Sequence, residues 1–178
     1  FESCIMNSPV SLPLFQSRVV PVIVVTDPAQ AVPMAEALLA GGVDVMEITL
    51  RSAAGLAAIE AVARAVPEMQ VGAGTVTRAS EVAQVLAAGA RFGLSPGSTP
   101  ELLAAVLAAG LPFVPGVASP SEAMAARDAG FTLMKCFPAA QLGGVEVLKA
   151  WGGPLPDLRF CPTGGVSLAN MGSFLALP

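Results

Sequence analysis

The residues predict an α/β fold in which strand and helix alternate along one chain, giving a parallel sheet with helices packed on it. Two patterns carry this. Seven apolar runs rich in β-formers begin every 20–26 residues, the length of one strand plus one helix. Between them recurs a helix-start signal, a capping residue followed by proline, at Asp27-Pro28, Thr99-Pro100 and Ser119-Pro120. Helix stops of the Ala-Gly type follow at Ala88-Gly89, Ala109-Gly110 and Ala129-Gly130.

Taken in order, the first strand is the β-branched run 19–25, ended by Asp27-Pro28-Ala29-Gln30. There Asp27 caps, Pro28 takes the first turn and Gln30 stands at the capping-box position. Further strands are expected at 45–50, 70–73, 92–94, 112–114, 133–136 and 159–161, with a seventh helix at about 167–175. Seven strands fit either an open doubly wound sheet or a (β/α)8 barrel whose eighth unit is absent from the sequence, which stops at Pro178.

A chain of 178 residues is the size of one domain, expected over 1–178 with the segment 1–17 unassigned. Apolar residues make up 54% and charged residues only 12%, half the usual share, so the interior is large. The uncharged stretch between Glu101 and Glu122 is broken by Gly110, Pro112, Pro115, Gly116 and Pro120. It reads as a helix followed by a strand, not a membrane span. A net charge of −4 argues against a nucleic-acid partner. Three cysteines without CxxC spacing and no opening signal segment point to a reducing compartment, the cytoplasm.

The chain contains no His and no Tyr, which rules out a His-based nucleophile and imidazole metal sites. Acid–base work falls to Asp, Glu, Lys or Cys, and the lysines number only two, Lys135 and Lys149.

Strand ends are where a parallel α/β enzyme keeps its chemistry. Glu47, Thr49 and Arg51 alternate onto one face of the second strand. A surface ion pair is the competing reading, but the apolar neighbours Val45, Ile48 and Leu50 place the segment inside. Gly72-Ala73-Gly74-Thr75 lacks the last glycine of a dinucleotide fingerprint. Lys135, within Leu133-Met134-Lys135-Cys136-Phe137-Pro138, is the most unusual residue: lysine is seldom buried without a partner. It is either a snorkelling or ion-paired side chain or a nucleophilic amine that forms imines with ketones. Lys149, on a helical stretch, reads as solvated. Thr163-Gly164-Gly165 offers free backbone amides suited to phosphate, though a plain glycine turn reads equally well.

With the motifs Val20-Pro21-Val22-Ile23, Glu47-Ile48-Thr49-Leu50-Arg51, Gly72-Ala73-Gly74-Thr75, Ser95-Pro96-Gly97, Lys135-Cys136-Phe137-Pro138-Ala139 and Phe160-Cys161-Pro162-Thr163-Gly164-Gly165, the chain resembles the 2-keto-3-deoxy-6-phosphogluconate (KDPG) aldolases, also called 4-hydroxy-2-oxoglutarate aldolases. The resemblance runs from about Val20 to the last residue. It implies a (β/α)8 TIM barrel, a class I mechanism without metal or other cofactor, and a homotrimer. It makes Lys135 the imine-forming residue and Glu47 the general acid/base. Arg51 and Thr75 would hold the pyruvate carboxylate, and Pro96 and Phe137 would line the pyruvyl pocket. Thr163 falls at a position tied to stereochemical choice, and Gly164 and Gly165 would bind phosphate. The expected partners are a phosphorylated keto-deoxy sugar acid and pyruvate. The family continues through an eighth strand and a final helix, and opens with a helix that residues 1–16 resemble poorly. The alternatives are an aldolase for the galactonate-derived epimer, a non-catalytic phosphosugar-binding barrel, or a purely structural oligomer.

Overall fold

The computed structural model describes residues 15–177, so most of the unassigned segment 1–17, with Cys4, lies outside the described residues. The first sheet takes β1 (Val22–Ile23), β2 (Val45–Thr49), β3 (Gln70–Gly74), β4 (Gly93–Leu94) and β5 (Phe113–Val114) in that order. The second takes β6 (Gly116–Val117), β7 (Leu133–Cys136) and β8 (Arg159–Pro162). Every pairing is parallel. The crossovers are α1 (Ala31–Ala40), α2 (Gly55–Ala65), α3 (Ala79–Ala87), α4 (Pro100–Ala109), α5 (Pro120–Asp128) and α6 (Val145–Gly152), with α7 (Met171–Leu175) last.

The protein is therefore α/β with parallel sheets in sequence order, as expected, but the strands do not close into a ring among the described residues. Two strands differ from expectation. The run 19–25 pairs only at Val22–Ile23, because Pro21 has no N–H and serves the ladder through its carbonyl, which accepts from Glu47 N–H at 2.9 Å. The strand at 112–114 continues past Pro115 as β6, and this proline, unable to donate, marks the seam between the sheets.

Helix starts form where the capping signals stand. Asp27 accepts from Ala29 N–H at 3.0 Å, Thr99 from Leu102 at 3.2 Å and Ser119 from Glu122 at 3.3 Å. Each such cap is worth about 1 kcal/mol. Asp27 opens a 3-10 turn, Pro28–Gln30, before α1, and Gly110, at φ 66, terminates α4 in the left-handed conformation that favours glycine. Lys149 is exposed and pairs with Glu146 at 3.0 Å.

Alternation sorts the strand side chains into two cores. Met46, Ile48, Val71, Ala73, Met134 and Cys136 pack outward against the helices in one continuous cluster. Val45, Phe92, Leu94 and Val114 form a smaller cluster on the opposite face, with Phe15, Val20 and Leu133 against it. Glu47 shares parity with Val45, and Lys135 with Leu133, so both point into the space that this inner cluster floors. Among the described residues, no helix is long and apolar enough to cross a membrane.

Candidate active site

Above the inner cluster lies a cavity of about 710 Å³ whose lining includes Glu47, Arg51, Thr75, Pro96, Lys135, Phe137, Thr163, Gly164 and Gly165. All nine sequence-predicted residues are thus brought to one space. The pair at its centre comes from different sheets: Lys135 Nζ on β7 donates to Glu47 Oε1 on β2 at 3.2 Å. Lys135 is 4% exposed and Glu47 1%, so neither ion reaches bulk water, and the snorkelling and surface-pair readings both fail. A buried pair of this kind is weak evidence for stability, since desolvation offsets most of the attraction. Buried, partnered ionisable groups inside a cavity are the kind found at reactive sites.

The backbone around the pair is shaped to admit it. A Cβ on Gly74 would fall 2.0 Å from Glu47 Oε1, so only glycine leaves room for the carboxylate. Thr75, next along, stands at φ 59, a strained conformation for a β-branched residue, and the bond to the Leu94 carbonyl is made by Val76 N–H. Thr75 is thereby turned toward the cavity it lines. Arg51 is exposed at the rim, and no ion pair to it is formed among the described residues, leaving its guanidinium available to an anion. Thr49, on the same face as Glu47, is fully buried and its hydroxyl has no partner among the described residues.

On the other side, Lys135 Nζ stands 5.7 Å from the centre of the Phe137 ring. Gly164 and Gly165 adopt φ 92 and 74. Their carbonyls are engaged by Ala140 N–H and by the Asn170 side chain, whereas neither amide donates to another group among the described residues. Amides free in this way suit an oxyanion. Thr163 Oγ1 bonds the Cys161 carbonyl at 3.4 Å.

Cys161 is a cavity-lining residue that the sequence reading passed over as part of a strand. It is the register partner of Lys135, and the alternation that turned Lys135 inward would have found it. Burial pushes its thiol above the ordinary range, opposed by the Thr163 hydroxyl 4.0 Å away. The described residues hold no cluster of three or more His, Cys, Asp or Glu that could ligate a metal.

An amine and a carboxylate buried together beside an arginine without an ion pair and free backbone amides, among the described residues, suit an enzyme of carbonyl chemistry on a parallel α/β scaffold. The chain belongs to the KDPG and KHG aldolase family, whose model matches residues 11–178. It is 52% identical over 163 residues to the 2-dehydro-3-deoxy-phosphogluconate aldolase of Pseudoalteromonas atlantica, covering 92% of this chain and 76% of the relative. It is 51% identical over 159 residues to the KHG/KDPG aldolase of Escherichia coli K12, covering 89% and 75%. Among solved structures it is similar, at a TM-score of 0.87 and 43% identity, to the KDPG aldolase of Legionella pneumophila, in which pyruvate was captured at low pH as a covalent carbinolamine. That match spans 99% of this chain and 81% of the other.

Proposed function

We propose that this chain cleaves 2-keto-3-deoxy-6-phosphogluconate to pyruvate and glyceraldehyde 3-phosphate, and 4-hydroxy-2-oxoglutarate to pyruvate and glyoxylate, through an imine on Lys135. The observation that carries the reading is the buried Lys135–Glu47 contact of 3.2 Å inside the cavity. The names of its relatives and the carbinolamine of the Legionella enzyme support it.

The Lys135 amine, its proton handed to Glu47, attacks the C2 ketone. Glu47 returns a proton to expel water from the carbinolamine, leaving a protonated imine that withdraws electrons from C3. The C3–C4 bond then breaks as the C4 hydroxyl gives its proton to Glu47. The aldehyde departs, the enamine is protonated at C3, and water releases pyruvate from Lys135. Arg51 and Thr75 hold the carboxylate, Pro96 and Phe137 flank the pyruvyl methyl, Thr163 faces the C4 hydroxyl, and the Gly164 and Gly165 amides take the phosphate.

The strands are read as part of a (β/α)8 barrel. The parallel sequence-order sheets support this, as does the meeting of a β2 carboxylate and a β7 amine across a shared interior. The enzyme is taken to be a cytoplasmic homotrimer, and sedimentation of the purified protein tests the assembly.

Borohydride reduction in the presence of pyruvate tests the chemistry. An adduct of pyruvate mass on Lys135 is expected, and Lys135→Ala should abolish it along with activity. A wild-type chain that acquires no adduct on Lys135 refutes the reading. Parallel kinetics on the galactonate-derived epimer should favour the gluconate type.

A further inference from the structure

We propose that Ser95 is a positioning residue for the aldolase reaction: its buried hydroxyl holds β6, the strand on which β7 and its Lys135 are paired, at the right height against Glu47. This rests on the proposed Lys135 chemistry and adds to it a residue outside the cavity lining.

The two sheets part at Pro115, and the ladder that runs from β4 to β5 has to end there. Its last backbone bond, from Ser95 N–H to the Val114 carbonyl, is already long at 3.4 Å. The next donor, Gly116 N–H, is buried and must find an acceptor. It finds the Ser95 hydroxyl at 3.1 Å, a side chain standing in for a ladder carbonyl. Ser98 grips the same residue from the other end, its hydroxyl donating to the Gly116 carbonyl at 2.9 Å.

The loop between them lies directly on Gly116, where an added Cβ would fall 2.3 Å from the Pro96 carbonyl carbon. Two serines and a glycine thus stitch the Ser95-Pro96-Gly97-Ser98 loop to β6 where the sheet has no ladder of its own.

The opposite edge of β6 carries the catalytic strand. Gly116 is the register partner of Lys135, and Lys135 N–H donates to the Pro115 carbonyl at 2.8 Å. Ser95, Gly116 and Lys135 are consecutive links from β4 to β7. The first sheet also supplies Glu47, so the Ser95 bond ties the lysine's strand to the sheet that holds its partner carboxylate. The same loop carries Pro96 into the cavity wall.

Ser95 is fully buried, so no water replaces its hydroxyl when it is removed. The Gly116 amide then has no acceptor, and β6 shifts to find one. A misplacement of about 1 Å at a reacting group costs up to roughly a hundredfold in rate. The arrangement therefore predicts that Ser95→Ala slows lysine-dependent exchange of the pyruvate methyl protons with deuterium by roughly tenfold to a hundredfold. The pyruvate KM should rise by less than the rate falls, because Arg51 and Thr75, which follow β2 and β3, are left in place and only Pro96 of the pyruvyl wall rides on the tethered loop.

The experiment measures that exchange by NMR at saturating pyruvate, together with the melting temperature, for wild type, Ser95→Ala and Ser95→Cys. Cysteine keeps the packing and is a poor acceptor, so it should be as slow as alanine, and it carries the test if Ser95→Ala does not fold. A hydroxyl that merely stabilised the fold would lower the melting temperature and leave the exchange rate of folded enzyme unchanged. A folded variant exchanging at the wild-type rate overturns the inference. Wild-type protein that exchanges nothing overturns the aldolase reading and this inference with it.

Discussion

Substituting Gly74 by alanine is the sharpest test of the site geometry. The new Cβ would sit 2.0 Å from Glu47 Oε1 and 2.5 Å from its Cγ, so rotating the carboxylate alone does not relieve the clash. To reach ordinary contact the oxygen must retreat by about 1.4 Å. The Lys135 hydrogen bond, already 3.2 Å long, does not survive such a retreat. Nor can the side chain escape to water, since Glu47 is almost wholly buried and flanked on β2 by fully buried residues. Overpacking of this kind costs about 1–3 kcal/mol, which for a chain of this size lowers Tm by roughly 2–4 °C per kcal/mol. The rate should fall much further, by up to about a hundredfold for a misplacement on the order of 1 Å. Thermal unfolding followed by circular dichroism, with aldol cleavage coupled to pyruvate detection, measures both on one preparation. A folded Gly74→Ala enzyme with kcat within twofold of wild type would show that the Glu47 position is not what the reaction needs.

Three further outcomes follow from the same geometry. Lys135→Ala strands Glu47 as a buried charge without a partner and should cost about 3–5 kcal/mol in urea unfolding, besides abolishing the borohydride adduct. Gly165→Ala would set a Cβ 2.4 Å from that of Ala140 at a φ of 74, distorting the loop. It should raise KM for the phosphorylated substrate about tenfold, worth 1.4 kcal/mol, while 4-hydroxy-2-oxoglutarate, which has no phosphate, is little affected. Burial pushes the Cys136 thiol from 9.0 to about 11. Its proton is therefore held more tightly in the folded chain, and the stability this confers is complete below pH 9. That stability should decline by at most about 3 kcal/mol as pH rises toward 11, with the decline absent in Cys136→Ala.

Much of the architecture could be read from local chemistry. Asp27, Thr99 and Ser119 stand before prolines and make the cap bonds their positions imply. A cap of a different kind went unread before α3, where Glu81 reaches back to the amides of Thr77 and Arg78 at 2.7 and 3.0 Å. No Ser, Asp or Asn announced it. Lys135 and Glu47 were legible because a charge inside an apolar strand demands a partner, and each chain segment supplied one candidate.

The features that stayed hidden depend on contacts between distant residues. Pro115 looked like a strand terminator, and only the ladder on both sides shows it as a seam. Ser95 entered the sequence reading only within the Ser95-Pro96-Gly97 motif, with no role of its own, because its use is set by the amide of Gly116, 21 positions away. The crowding of Gly74 against Glu47 is likewise invisible until strands β2 and β3 fall into register.

The amine and the carboxylate lie 88 positions apart and on opposite sides of that seam. Neither half of the polypeptide holds both members of the buried pair. Cut in the exposed turn around Gly110, the two pieces would each be inert toward pyruvate, and activity would return only when they reassociate. On the proposed chemistry, a pyruvate adduct on Lys135 would then record that the halves have docked.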